Sequence, residues 1–229
     1  MSIIKGEGTH TILYGSADIH NGLSSSRGYV ARPDHAGSYP TVLISHDWAG
    51  VTSSLKALVR TLARHGYAAV VPDFYRGQGP SASWPADRLL SDLEGARRFL
   101  ASSDTPWVGE LALFGMGSGA PAAIDFVLRH PEVRALVLAS PIASFGLDEV
   151  SIPSLGLVGK GDELAENSGQ AQKQAPQVEW VLYGTAGHDF LDEKSDSFDG
   201  AVAEDAISRI LDFLGRNLRA DATGMFSRR

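Results

Sequence analysis

The chain has 229 residues and no cysteine, which excludes disulfides, thiolate catalysis and cysteine metal sites. A hydrophobic content of 43%, a charged content of 21% and 25 glycines exclude a disordered or fibrous chain and are typical of a globular protein of enzyme size. The net charge of −7 argues against a nucleic acid or an anionic membrane as the main partner, because either would favour a basic face.

The length of the chain suits one domain, so we predict a single domain over residues 1–229. Residues 1–8 lack the apolar core of a signal peptide, and no run approaches the roughly 20 apolar residues of a membrane span. We therefore expect a cytoplasmic protein. Residues 219–229 show no apolar periodicity and are predicted to form a mobile tail.

The first predicted elements are the two strands of an antiparallel hairpin. Residues Thr9–Tyr14 and Gly28–Arg32 alternate in the manner of half-buried strands. The segment Ser16–Gly22 between them has the chemistry of a turn. We therefore predict a hairpin at one edge of a sheet.

After the hairpin, buried strands and amphipathic helices alternate along the chain. Apolar runs predict strands at Pro40–Ser45, at Tyr67–Val71, from Leu111 onward, and at Val133–Ala139, Ser154–Val158 and Val178–Leu182. Helical spacing of apolar residues predicts helices at Ser53–His65, at Asp87–Leu100 and at Val202–Leu218. Another helix is predicted to follow the strand that starts at Leu111 and to end at about His130. This order predicts an α/β fold with a mainly parallel sheet covered by helices on both faces.

The stretch Leu111–Ala123 has the pattern of a nucleophile elbow, a short strand that turns through glycines into a helix. In the G-x-S-x-G form of that elbow, the outer glycines allow close packing and the middle residue lifts its side chain from a strained turn. Here Gly115 and Gly119 occupy the outer positions and Gly117 the middle one. The frame is present without its nucleophile, unless Ser118, one residue later, replaces it.

Two further predicted strands end in residues that could complete a catalytic site with the elbow. Asp162 follows one strand between glycine and glutamate, and His188 follows another strand directly after a glycine. The order elbow, acid, histidine is that of α/β-hydrolase triads, in which the acid fixes the imidazole tautomer and the imidazole takes the nucleophile's proton. Because parallel sheets place their sites beyond the carboxyl ends of the strands, we predict that these residues share one site.

With these motifs the chain resembles the dienelactone hydrolase family, a branch of the α/β-hydrolases, from about Gly28 to Asn217. The matching segments are Gly28–Pro33, His46–Gly50, Gly66–Tyr75, Gly115–Gly119, Gly161–Asp162 and Ala186–His188. The resemblance implies the α/β-hydrolase fold and hydrolysis of a small lactone or ester. It also implies a small-molecule substrate, no cofactor, no metal, and a monomer or homodimer.

The resemblance further assigns roles to residues at the predicted site. Gly117 falls on the family's nucleophile position, which is normally cysteine and in relatives serine. Asp162 and His188 fall on the acid and base positions. The backbone N–H groups of Ser118 and Trp48 fall on the oxyanion hole, which needs no particular side chain.

Three more residues are predicted to bind substrate on the same resemblance. Asp47 stands where the family has an acidic residue near the resting nucleophile, although a solvated loop acid is an equal alternative. Arg76 lies with Tyr75 in the loop where the family keeps an arginine for its substrate's carboxylate. The surrounding residues of Arg76 align poorly, so a solvated surface arginine is the stronger alternative.

Gly117 leaves four hypotheses open. In the first, Ser118 is a displaced nucleophile, although its place at the helix start favours a capping role. In the second, His188 with Asp162 is a general base that uses the pocket opened by the missing side chain, for hydrolysis or for a lyase or isomerase step. In the third, the protein is a binding module without turnover. In the fourth, Gly117 is a substitution that inactivates an ordinary serine hydrolase, and glycine would tolerate the elbow's dihedral angles.

Overall fold

A computed structural model describes residues 8–20, 25–80, 84–102, 104–162 and 172–218. The strands within these ranges are β1 Ile12–His20, β2 Ser25–Pro33, β3 Tyr39–Ser45, β4 Ala68–Pro72, β5 Val108–Met116, β6 Val133–Ala139, β7 Ser154–Gly159 and β8 Glu179–Tyr183. The α-helices are α1 Ser53–Arg64, α2 Leu89–Leu100, α3 Ala120–Arg129 and α4 Gly200–Asn217.

The strands form one sheet in the order β1-β2-β4-β3-β5-β6-β7-β8. The pairs β1–β2 and β2–β4 are antiparallel, and every other neighbouring pair is parallel. The predicted fold class, a mainly parallel sheet with an N-terminal antiparallel hairpin, is therefore confirmed. Because β3 to β8 run in the same direction, the carboxyl ends of β3, β5, β7 and β8 lie at one edge of the sheet.

Helices cover the sheet on both faces, and each face has its own hydrophobic core. Along β3, Val42 and Ile44 point into one core and Leu43 into the other, as the two-residue period of a strand requires. The first core contains leucines and other apolar residues of α1 and α4, including Leu55, Leu62, Ile210 and Leu214. The second contains those of α2 and α3, including Leu89, Leu93, Ile124 and Phe126.

Side-chain caps define where two of these helices begin. Thr52 accepts a hydrogen bond from the Leu55 backbone N–H at 3.1 Å and so starts α1. Asp199 accepts from the backbone N–H groups of Ala201 and Val202 at 3.0 and 3.2 Å and starts α4. No α-helix of the described ranges is long and apolar enough to cross a membrane.

The N-terminal hairpin is longer than predicted, and the predicted turn at Ser16–Gly22 is wrong for most of its length. Ser16 pairs with Tyr29 and the ladder continues to His20, so the strand includes residues expected to turn. Ile19, which is 1% exposed, packs into the core that contains α2 and α3. Burial of that side chain and cross-strand pairing outweigh the local turn propensity. Residues 21–24 and the predicted tail at 219–229 lie outside the described residues.

Candidate active site

The elbow forms where β5 ends at Met116 and a 3-10 turn over Gly117–Gly119 leads into α3. Gly117 has φ +45°, in the left-handed region that favours glycine. A Cβ on Gly119 would lie 2.5 Å from the Ser45 carbonyl oxygen, so this position needs glycine for close packing of the turn against β3. The sequence therefore builds the strand-turn-helix frame as predicted.

The carboxylate of Asp47, from the loop after β3, lies directly over Gly117. A Cβ placed on Gly117 would lie 2.6 Å from Asp47 Oδ1 and closer still to Cγ and Oδ2. The Asp47 carboxylate therefore occupies the space in which an elbow nucleophile would begin. The pocket that the second hypothesis places above Gly117 is therefore filled by a carboxylate from another loop.

One oxygen of Asp47 accepts three hydrogen bonds from the two residues predicted to form the oxyanion hole. The backbone N–H groups of Trp48 and Ser118 donate to Oδ1 at 2.6 and 2.9 Å. The Ser118 hydroxyl donates to the same oxygen at 2.5 Å and itself accepts from the Trp48 N–H at 3.0 Å. Ser118 is thus engaged with Asp47 and Trp48, which disfavours it as a displaced nucleophile. The two N–H groups converge as predicted, on an oxygen of the protein itself.

His188 lies between two carboxylates. Its Nδ1 is 2.9 Å from Asp162 Oδ2, and its Nε2 is 3.0 Å from Asp47 Oδ2. Burial lowers the pKa of His188, but hydrogen bonds to Asp47 and Asp162 and their negative charges outweigh burial and raise that pKa to about 9. At neutral pH the ring is therefore an imidazolium that donates to both carboxylates.

The charge on Asp47 is stabilised by the same contacts. Burial alone would raise the pKa of Asp47. Hydrogen bonds from His188, from the hydroxyl and N–H of Ser118 and from the N–H of Trp48 outweigh burial and hold that pKa below its usual value. Asp47 is therefore an ionised carboxylate that faces an imidazolium.

Two residues, His46 and Ser140, hold the loops that carry Asp47 and His188. The buried His46 donates from Nδ1 to the Asp47 carbonyl at 2.7 Å and accepts at Nε2 from the Phe74 N–H at 3.1 Å. Burial lowers the pKa of His46, in keeping with this neutral tautomer. The Ser140 hydroxyl donates to the His188 carbonyl at 2.7 Å, and Ser140 itself adopts φ +46°. Sequence analysis assigned no role to His46 or Ser140, although both lie at the end of a predicted strand and His46 belongs to a segment that resembles the family.

The two remaining residues predicted to bind substrate have other partners. The Tyr75 hydroxyl donates to the Trp48 carbonyl at 2.7 Å, so Tyr75 supports the loop after β3. Arg76 Nη2 lies 2.7 Å from Oδ1 of the buried Asp92, a residue of α2. Neither Tyr75 nor Arg76 lines the cleft at the site. A role for Arg76 in binding a substrate carboxylate is therefore not supported, and it is not a solvated surface arginine either.

The cleft beside the elbow is lined mostly by apolar surface, and three of its polar side chains are carboxylates. Its apolar residues include Leu55, Met116 and Phe190. Its carboxylates are Asp47, Asp189 and Asp192. Among the described residues, no lysine or arginine lines this cleft. Trp48 is 43% exposed, and the centroid of its ring lies 5.5 Å from that of the His188 ring.

One group of side chains here could offer ligands to a metal ion. Single donor atoms of Asp47, His188 and Asp189 all lie within 4.8 Å of one another. Binding an ion there would require His188 Nε2 to exchange its hydrogen bond to Asp47 for a metal bond.

Comparisons with known proteins point to one family. The profile of the Dienelactone hydrolase family matches residues 26–218. The chain is 27% identical over 238 residues to the "Putative carboxymethylenebutenolidase" of Yersinia pestis, a match that covers 90% of this chain and 89% of that protein.

Two solved structures resemble the whole fold. A dienelactone hydrolase from Anabaena variabilis matches with a TM-score of 0.74 and 21% identity, over 92% of this chain and 100% of that one. A dienelactone hydrolase-like promiscuous phosphotriesterase from metagenomic libraries matches with a TM-score of 0.77 and 15% identity, over 91% of this chain and 99% of that one. At these identities the two structures support the fold alone.

Proposed function

Because the chain belongs to the dienelactone hydrolase family, we propose that it hydrolyses a small lactone or carboxylic ester without a nucleophile on its elbow. In this proposal Gly117 leaves the nucleophile position without a side chain. His188 is the general base, and Asp162 orients the imidazole ring. The backbone N–H groups of Ser118 and Trp48 hold the substrate's carbonyl oxygen.

One observation carries the proposal: two backbone N–H groups converge on a single oxygen beside His188. The oxygen now held is Asp47 Oδ1, which accepts from Trp48 at 2.6 Å and from Ser118 at 2.9 Å. A carbonyl oxygen that replaced it would be polarised by the same two donors. The carboxylate of Asp47 therefore stands in for the oxyanion of an acyl-transfer intermediate.

The proposed reaction begins when the substrate's carbonyl displaces Asp47 from these donors. His188 then loses one of its two carboxylate neighbours, so its pKa falls toward the range of a general base while Asp162 still orients the ring. The imidazolium releases its Nε2 proton to solvent, and the neutral His188 then takes a proton from water as the water oxygen attacks the carbonyl carbon. The tetrahedral intermediate collapses, and the leaving alkoxide receives that proton from His188. General-base and oxyanion catalysis are each worth about 10²-fold or more, so turnover does not require a nucleophile.

The charges around the cleft favour a neutral substrate. Asp47, Asp189 and Asp192 line it, and no described lysine or arginine does. An anionic lactone or ester would be repelled there, and Arg76 is engaged with Asp92 instead. We therefore propose a neutral lactone or ester.

The test is a panel of neutral and anionic lactones and p-nitrophenyl esters, assayed with the parent protein, His188→Ala and Asp162→Asn. We expect hydrolysis of at least one neutral substrate by the parent, and losses of about 10²–10⁴-fold in His188→Ala, the range of general-base catalysis. Equal rates for the parent and His188→Ala would contradict the proposal.

The alternative is a binding protein or a non-hydrolytic enzyme on the same scaffold. The occupation of the two N–H groups by Asp47 favours this alternative, because in the resting site both of these donors are held by a carboxylate of the protein itself. A ligand that binds the parent and protects it against thermal unfolding, but is never hydrolysed, would support it.

A further inference from the structure

We propose that Asp47 is a covalent nucleophile and that this site hydrolyses small neutral alkyl halides. The inference goes beyond ester hydrolysis, because the bond broken is between a saturated carbon and its leaving group. It does not rest on the proposed function, although both use His188 and Asp162.

The first step of the argument is position. A Cβ on Gly117 would fall within 2.6 Å of Asp47 Oδ1, so the carboxylate lies in the place of the elbow's missing side chain. Its Oδ2 lies 3.0 Å from His188 Nε2, the atom that faces the nucleophile in a hydrolase triad. Asp47 also lines the cleft, with 11% of its side chain exposed. The Asp47 carboxylate therefore lies at the position that the nucleophile occupies in the α/β-hydrolase fold.

The second step concerns which carbon this carboxylate can attack. Attack on a carbonyl carbon would place a negative charge on the substrate's oxygen, which needs the N–H groups of Trp48 and Ser118. Those donors already hold Asp47 Oδ1. Attack by Oδ2 on a saturated carbon creates no such charge and leaves Oδ1 in place. The resting geometry therefore favours alkyl transfer over acyl transfer.

The first chemical half-reaction is a displacement. One lone pair of Asp47 Oδ2 accepts from His188, and a second is available on the cleft side. That lone pair forms a bond to the saturated carbon, and the carbon–halogen bond breaks with its electron pair leaving on the halide. The products are an alkyl ester of Asp47 and a halide ion. Because a halide leaves without a proton, no acid is needed at the leaving group.

The second half-reaction uses the same N–H groups. After alkylation Oδ1 is the carbonyl oxygen of the ester and still accepts from Trp48 and Ser118. Asp47 has lost its charge, so the pKa of His188, now paired with Asp162 alone, falls and the imidazolium releases its Nε2 proton to solvent. The neutral ring can then take a proton from water. The water oxygen bonds to Asp47 Cγ, and the resulting oxyanion on Oδ1 lies in the oxyanion hole. Collapse breaks the bond between Cγ and the alkyl oxygen, and the alkoxide leaves as an alcohol with the proton from His188. Asp47, left as a carboxylic acid, then gives its proton to His188, which restores the resting ion pair.

The substrate class follows from the wall of the cleft. Leu55, Met116 and Phe190 offer an apolar surface, and Asp189 and Asp192 repel anions. A neutral, short alkyl chain fits these properties, and a halogenated carboxylate does not. We use 1-bromopropane as the probe.

The first experiment traps the covalent intermediate. His188→Gln keeps a side-chain donor near Asp47 Oδ2 and removes the base for the second half-reaction. We expect this variant to gain the mass of one propyl group, and peptide mapping to place that group on Asp47. Asp148→Asn, a change at an exposed carboxylate remote from the cleft, should react as the parent does. His188→Gln with Asp47→Asn should gain nothing at this peptide.

The second experiment uses the unmodified chain and so does not depend on any variant folding. In a single turnover in ¹⁸O-labelled water, a nucleophilic Asp47 takes the label into its carboxylate and the first alcohol formed is unlabelled. Water activated directly by His188 would instead label the alcohol and leave Asp47 unlabelled. The proposal would be overturned if His188→Gln gained no propyl adduct and the parent took no label into Asp47. Ester turnover without an adduct would refute only this inference, and an adduct without ester turnover would refute only the proposed function.

Discussion

The carboxylate of Asp47 and the backbone of Gly117 occupy complementary positions: Asp47 fills the volume that a side chain on Gly117 would need. The elbow supplies the turn, the N–H of Ser118 and the approach of His188, while the loop after β3 supplies the functional group. A residue at position 117 larger than glycine and a carboxylate at position 47 therefore exclude each other in this arrangement. The chemistry of the site depends on which of the two is present.

Gly117→Ser alone is expected to give a less stable protein and no gain in esterase activity. The new Cβ would overlap the Asp47 carboxylate, and overpacking of this kind destabilises by about 1–3 kcal/mol. Urea unfolding and hydrolysis of p-nitrophenyl acetate measure the two effects. Gly77→Ser is the matched control, because Gly77 has φ +84° and open space around its Cβ position, so it isolates the backbone strain.

Removing the Asp47 carboxylate should allow a serine at position 117 to act as a nucleophile. The double variant Asp47→Gly with Gly117→Ser has room for a hydroxyl between His188 and two free N–H groups. We expect p-nitrophenyl acetate hydrolysis at least about 10²-fold faster than in Asp47→Gly alone, the scale of a restored catalytic group acting with the oxyanion hole. A folded double variant with no gain would show that Asp162, His188 and the N–H groups do not form a working triad frame.

Stability should fall as the pH rises through the titration of His188. The pKa of His188 is about 9 in the folded protein, above an ordinary value of 6.5. The folded state binds the proton more tightly, so this stabilisation is complete below pH 6.5 and is lost as the pH rises through 9.

Urea unfolding at pH 6 and pH 9.5 measures this dependence. Asp47→Asn should reduce it, because the variant removes one of the two charges that raise the pKa of His188. The same difference between the two pH values in the parent and in Asp47→Asn would contradict the assignment.

The sheet and most of its helices were predictable because their signals are local. Apolar runs and helical spacing reflect burial on one or two faces, and strands such as Val133–Ala139 have the bounds that the sequence predicts. Asp162 and His188 were predictable as a pair because parallel strands bring their carboxyl ends to one edge.

The occupation of the elbow by Asp47 was not predictable, because it depends on distance in space between residues about 70 positions apart. The sequence shows a glycine where a nucleophile is expected, and nothing local indicates that a carboxylate fills the space. The pairing of Arg76 with Asp92 on α2 is likewise a tertiary contact. Local patterns identify which residue types are present, and the packing of loops decides what they contact.

Ester hydrolysis, if His188 is the base, should increase with pH up to about 9. The free protein holds His188 as an imidazolium below that pKa, so kcat/KM should rise about tenfold per pH unit and level off near it. In Asp47→Asn the plateau should begin at lower pH, because only Asp162 remains to stabilise the charged ring. A pH–rate profile that is flat between pH 6 and 9 would rule out His188 as the base in the rate-limiting step.

Arg76→Ala is expected to lower stability and to leave substrate preference unchanged. The guanidinium pairs with Asp92, whose side chain is 1% exposed, and breaking such a pair leaves a buried charge at a cost of about 3 kcal/mol or more. Because Arg76 does not line the cleft, the ratio of kcat/KM for neutral and anionic esters should stay that of the parent. Arg129→Ala, which removes an exposed pair with Asp125, is the matched control and should unfold close to the parent. A selective loss of activity toward anionic esters in Arg76→Ala would instead indicate that Arg76 binds the substrate.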